Sequence, residues 1–220
     1  MTIRAVFFDL VGTLVVSLPV LTDAVNHIRS LFFLPPLTES EVRLKVGKGA
    51  RHLVQQALPD AAGTDIDRAL TLFLDFNREH IADKSRLYPG ILEVLQELAA
   101  RDIKMAVITN KNEELSRLLL QTLGVSPFFA GIAGGDTFLE RKPSPLPLLY
   151  SAANLGVAPA ECLMVGDSIN DIQAARQAGI TSIGCTWGYG SMEEVSDADS
   201  FAGTPLALLA SLAAASGSGP

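Results

Sequence analysis

The sequence predicts an α/β fold: a Rossmann-like parallel sheet core with an inserted α-helical unit. Three observations predict it. Short apolar runs recur, each closed by polar residues and a turn. Amphipathic helical stretches fall between them. Residues 17–83 break that rhythm with helical patterns alone. Alternating β and α patterns imply parallel strands with helices on both faces.

The first run, residues 3–8, ends at Asp9 and a Gly-Thr turn, as suits a buried parallel strand with a functional residue at its C-terminal end. Residues 17–83 carry about three helical segments and no strand signal. Residues 38–41 (TESE) have the capping-box pattern, and residues 64–67 (TDID) resemble one. The chain is expected back in the sheet near residues 84–88. That gives a core of residues 1–16 and 84–220 and a helical cap of 17–83. Next, Ile91, Val94, Leu95 and Leu98 follow the i, i+3, i+4, i+7 rule behind Pro89. A second strand, residues 105–108, is closed by Thr109 and Asn110. Leu115, Leu118 and Leu119 mark another helix. Residues 132–133 are a weaker strand candidate. Residues 163–165 form a third clear strand, closed by Gly166 and Asp167. The helix at 169–178 stops at Gly179, which suits a C-cap, and residues 181–184 are a last weak strand. The final AAASGSGP reads as a frayed tail.

Composition narrows the class of function. The chain has 220 residues, 48% hydrophobic and 19% charged, enough for a sizeable core and too apolar for wholesale disorder. A net charge of −7 argues against a nucleic-acid or anionic-membrane surface. An anionic small molecule is still compatible, because N–H donors and one Lys can bind phosphate within an acidic protein. Cys162 and Cys185 both lie in apolar runs and read as core thiols of a reducing compartment. Two Cys and three scattered His give no zinc spacing. No run approaches the roughly 18 apolar residues of a membrane span, and the N-terminal stretch is no signal peptide. The expected location is the cytoplasm; monomer and homodimer stay open.

In an open parallel sheet, ligands bind beyond the C-terminal ends of the strands. The polar residues there are Asp9, Thr109, Asn110 and Asp167, joined by Lys142 in RKPSP and Asp171 in GDSIND. A carboxylate nucleophile, a hydroxyl donor, a Lys and a second acidic cluster suit phosphoryl transfer through an aspartyl phosphate. Carboxylates with water and phosphate oxygens make a hard, oxygen-rich site suited to Mg²⁺.

DLVGTLV, VITNK, RKPSP and GDSIND, in that order, resemble the haloacid dehalogenase (HAD) superfamily of phosphatases. The likeness covers the whole chain, with the helical insertion as the family's cap. Longer stretches, among them YPGILEVLQELAARDIKMAVITNK and GGDTFLERKPSPLPL, resemble the bacterial phosphoglycolate phosphatases within that superfamily. The resemblance implies that Asp9 attacks phosphorus. Thr109 and Asn110 would hold phosphate oxygens with help from the Val11-Gly12-Thr13 turn, and Lys142 would neutralise charge. Asp9, Asp167 and the Val11 backbone carbonyl would ligate Mg²⁺, with Asp171 acting through water or as a support. A response-regulator receiver is excluded by order, since receivers phosphorylate an Asp on a middle strand.

One residue departs from the pattern. The resemblance implies DxDGT, whose second Asp protonates the leaving oxygen and later activates water, and this chain has Val11. Val16 and Val20 likewise stand where acids are expected. A side chain without a proton cannot do acid–base work, which typically contributes about 10²–10⁴-fold. Two other readings therefore stay open: a non-catalytic phosphometabolite-binding relative, and a phosphonatase-type C–P hydrolase with Lys48 as Schiff-base amine. In the cap, residues 47–51 (GKGAR) form a Gly-bounded basic turn. There Lys48 and Arg51 are expected to close over the site and meet a second anionic group on the substrate. Trp187 and Tyr189 are expected to pack near the rim, and His27, His52 and His80 to lie on the cap surface or in its core.

Overall fold

A computed structural model describes residues 2–211. From the N-terminus, β1 (Ala5–Phe8) and β2 (Val15–Val16) lead into four helices: α1 (Leu18–Leu31), α2 (Glu39–Arg43), α3 (Ala50–Ala57) and α4 (Gly63–His80). Then come β3 (Arg86–Leu87), α5 (Ile91–Ala100), β4 (Lys104–Ile108), α6 (Glu113–Thr122), β5 (Gly131–Ala133) and α7 (Leu146–Leu155). The last elements are β6 (Cys162–Gly166), α8 (Ile169–Ala178), β7 (Thr181–Cys185), α9 (Met192–Val195) and β8 (Ser200–Ala202).

Six strands form one sheet in the order β5-β4-β1-β6-β7-β8, and every pairing is parallel. The burial of β1 explains its unbroken apolar run. Val6 and Phe8 face one layer with α5 and α6, while Ala5 and Phe7 face the other with α7 and α8. Alternate side chains of a strand point to opposite faces, so a doubly covered strand must be apolar throughout.

The helices α1–α4 enclose a third apolar cluster, built on Leu21, Val25 and Ile28 of α1, Leu53 and Val54 of α3, and Ile66 and Phe73 of α4. The chain enters and leaves this insertion through the antiparallel pair β2–β3, with Val15 opposite Leu87 and Val16 opposite Arg86. The insertion holds four helices instead of three, because the five-residue α2 is too short to show a period. Its N-cap Thr38 makes the expected reciprocal bonds with Glu41. The second capping box is not formed. The helix α4 starts two residues earlier, with Ala62 in the extended N-cap conformation, so Thr64 lies inside the first turn. Both Cys162 and Cys185 are buried, free thiols in the sheet. Among the described residues no helix is long and apolar enough to cross a membrane. The AAASGSGP tail lies outside the described residues.

Candidate active site

The sheet order reverses at β1: β4 and β5 lie to one side and β6, β7 and β8 to the other. Such a reversal opens a crevice at the C-terminal strand ends. Asp9 directly follows β1, Thr109 and Asn110 follow β4, and Asp167 follows β6. Asp9, Val11, Thr109, Asn110, Lys142 and Asp167 line one cavity of about 170 Å³, roofed by Leu21, Leu53, Phe73 and Leu74 of the insertion.

Lys142 sits in the floor, 3% exposed. Its Nζ donates to Asp9 Oδ1 at 2.8 Å, to Asp171 Oδ1 at 2.5 Å and to the Ile108 carbonyl oxygen. Burial pulls its pKa down, but the Asp171 and Asp9 carboxylates outweigh burial and leave it raised. Asp171 is turned under the site by its other oxygen, which accepts from Ser168 N–H at 3.0 Å and Ser168 Oγ at 2.7 Å. Burial raises the Asp9 carboxyl, with Lys142 opposing and Asp171 adding to the rise.

Asp167 is held from two sides. Thr13 Oγ donates to its Oδ1 at 3.0 Å, and the Tyr189 and Gly190 N–H groups donate to Oδ2 at 2.7 and 3.3 Å. These donors do not fully offset burial, which together with the Asp9 and Asp171 charges pushes the carboxyl up to about 7. The turn after β1 must pass close to this carboxylate. Gly12 has φ +93°, and a Cβ there would lie 2.2 Å from Asp167 Oδ2. No other residue fits.

Three buried carboxylates therefore face one lysine. Asp9, Asp167 and Asp171 can each offer an oxygen, all within 4.8 Å of one another. An all-oxygen donor set with uncompensated negative charge fits a hard divalent cation such as Mg²⁺.

Some expected residues serve differently. Gly12 and Thr13 do not line the cavity: the Gly12 N–H donates to the Val15 carbonyl at 3.0 Å, and the Thr13 hydroxyl supports Asp167. Asn110 lines it, but its Nδ2 donates to the Lys142 and Gly47 carbonyls at 2.9 and 3.0 Å, tying the insertion to the core. Thr109 Oγ accepts from the Lys111 N–H at 3.2 Å, which leaves its own proton to donate. Lys48 and Arg51 are not in the cavity wall. Gly47, Gly49 and Ala50 turn inward at the start of α3, while Arg51 points away and pairs with Asp67 of α4 at 2.7 Å. Lys48 is exposed.

Tyr189 lines the rim, and its hydroxyl accepts from the Ser17 and Leu18 N–H groups at the start of α1. Trp187 Nε1 donates to the Thr13 carbonyl at 3.0 Å. None of the three His lines the cavity: His27 stacks on Phe76, His80 pairs with Asp83, and burial lowers the pKa of the half-buried His52. The sequence reading missed Arg43, Lys111 and Glu194, all of which line the cavity. For Lys111 a signal existed: it directly follows Thr109 and Asn110 in VITNK.

The profile of the haloacid dehalogenase-like hydrolases matches residues 3–179. The chain belongs to this family. It is 43% identical over 192 residues to the phosphoglycolate phosphatase of Chromobacterium violaceum, covering 85% of this chain and 86% of that protein. It is 41% identical over 202 residues to that of Neisseria meningitidis, covering 90% and 86%. The crystal structure of a predicted phosphoglycolate phosphatase from Haemophilus somnus superposes with a TM-score of 0.91 at 31% identity, covering 96% of this chain and 98% of that one. The likeness to HAD hydrolases expected from the four motifs thus holds along nearly the whole chain.

Proposed function

We propose that this HAD hydrolase carries the site of a Mg²⁺-dependent phosphatase for 2-phosphoglycolate, slowed at proton transfer by Val11. The observation that carries the reading is the buried Lys142 bonded at 2.8 Å to Asp9, in a cavity that Thr109 also lines. The names of the relatives support the substrate. An Asp9 oxygen attacks phosphorus, the bond to the ester oxygen breaks, and the phosphoryl group rests on Asp9. Lys142 balances charge on Asp9, and Thr109 donates to a phosphoryl oxygen. Asp9, Asp167 and the Val11 carbonyl would hold the cation, with Asp171 behind them. When bound, the cation neutralises charge between carboxylate and phosphoryl oxygens. The helices of residues 17–83 act as a cap that excludes water from the phosphoryl group.

Two steps need a proton carrier beside Asp9. The departing alkoxide must gain a proton, and the water that cleaves the aspartyl phosphate must lose one. Val11 lines the cavity there and packs against both the core and the insertion clusters. It can do neither, and that observation favours the second reading, a protein that binds phosphometabolites without turning them over. The phosphonatase reading loses Lys48 as its amine, since Lys48 is exposed and outside the cavity.

Phosphate release from 2-phosphoglycolate with Mg²⁺, for this chain and for Val11→Asp, tests the proposal. The Asp variant is expected to be faster by about 10²–10⁴-fold. Equal rates would show that another group moves the proton. If both forms are inert on this ester, the substrate assignment falls.

A further inference from the structure

Three cations line the cavity: Arg43, Lys111 and Lys142. Lys142 is bound to Asp9 and Asp171. Arg43 donates to the Tyr189 and Gly188 carbonyl oxygens at 2.7 and 3.4 Å. The Lys111 ammonium makes no ion pair and no side-chain hydrogen bond among the described residues. Burial alone acts on it, pulling the pKa down to about 8, and no neighbouring carboxylate lifts it, Glu194 at the rim included. A partly buried cation without a counter-charge is a costly arrangement unless an anion arrives to meet it.

Its place says which anion. The Lys111 N–H is bonded to Thr109 Oγ, so the side chain springs from the edge of the phosphate pocket. Much of the wall of the same cavity is apolar, with Val11, Leu21, Phe73 and Leu115 among its lining residues. An ester whose phosphate sits at Asp9 and Thr109 has its leaving group in this apolar space, where Lys111 is the cation without an acceptor. We propose that Lys111 receives a carboxylate on the leaving group, so that the cavity selects small phosphate monoesters with an anionic far end. The inference rests on the phosphatase reading of the same site, and it replaces Lys48 and Arg51 as the carboxylate partner.

The test uses ligands that cannot turn over. Titrate the full chain, with Mg²⁺ present, with 3-phosphonopropionate, the methylene analogue of 2-phosphoglycolate, and with propylphosphonate, which lacks the carboxylate. Do the same with Lys111→Met and Lys111→Arg, after matching their thermal melts to the parent. The parent is expected to prefer the carboxylate ligand by about 10- to 100-fold, the usual range for a charge-assisted bond. Lys111→Met should abolish that preference without weakening propylphosphonate, and Lys111→Arg should restore part of it. No preference in the parent, a preference that survives in Lys111→Met, or equal weakening of both ligands would overturn the proposal. Failure of the phosphatase reading shows separately, in the turnover of Val11→Asp.

Discussion

Asp167 keeps a carboxylate inside the protein only because donors reach both its oxygens. Thr13 is the one whose loss is easiest to read. Its hydroxyl is fully buried, and Val has nearly the same shape. Thr13→Val should destabilise the chain by about 1.5–3 kcal/mol, the usual worth of a hydrogen bond to a charged group. It should also raise the Asp167 carboxyl further above about 7. Urea unfolding checks the first effect, and a change below about 0.5 kcal/mol would mean that the backbone N–H groups suffice. At this scale the sequence was legible where a polar residue closes an apolar run: Asp9, Thr109 and Asp167 each sit at a strand end, which fixes both position and direction. Lys48 and Arg51 were misjudged because a Gly-bounded turn does not say which way its side chains point. The three valines at 11, 16 and 20 are visible in the sequence, and nothing in the structure explains why they stand where the resemblance implies acids.

Between elements, the insertion is fastened to the core by a few polar contacts over the cavity. Arg43 at the end of α2 reaches the Tyr189 and Gly188 carbonyls, and Asn110 and Asn170 both donate to Gly47 O at 3.0 and 3.4 Å. These bonds hold the roof in place more than they hold the fold together. Arg43→Ala should cost about 1 kcal/mol of global stability, since the side chain is exposed and its two bonds fall at the low end of the usual range of about 0.5–1.5 kcal/mol each. Locally it should speed amide exchange in α2 and residues 44–49 several-fold while leaving β4 and α5 unchanged. Hydrogen exchange resolved by segment decides this; uniform exchange would mean that Arg43 is no latch. Elements were readable in proportion to their length and periodicity. The strands β1, β4 and β6 and the helices α5, α6 and α8 carry clear patterns. The helix α7, LPLLYSAANL, has apolar residues on its exposed as well as its buried side, and β8 has only three residues, so neither announces itself.

For the molecule as a whole, the acidic cluster links stability to pH and to metal. The ordinary Asp pKa is 3.8, and folding raises Asp167 to about 7 and Asp9 in the same direction. Between those limits the folded chain binds more protons than the unfolded chain, so stability falls as pH rises from about 4 to about 7. Each such carboxyl costs about 1.4 kcal/mol for every pH unit crossed between its unfolded and folded pKa. Lys142 is raised from 10.5 and does not titrate in that window. A divalent cation competes with those protons, so its stabilising effect should grow over the same range. Thermal melts in chelator and in saturating Mg²⁺ test this at pH 5.5 and pH 8. At about a hundredfold excess over Kd, the gain at pH 8 should reach about 2.7 kcal/mol, some 5–10 °C for a chain of this size. At pH 5.5 it should shrink to a small part of that. In Asp167→Asn the gain should be lost at both values. A gain independent of pH, or one that survives in Asp167→Asn, would place the cation elsewhere and leave the three carboxylates as a charge cluster answered by Lys142 alone.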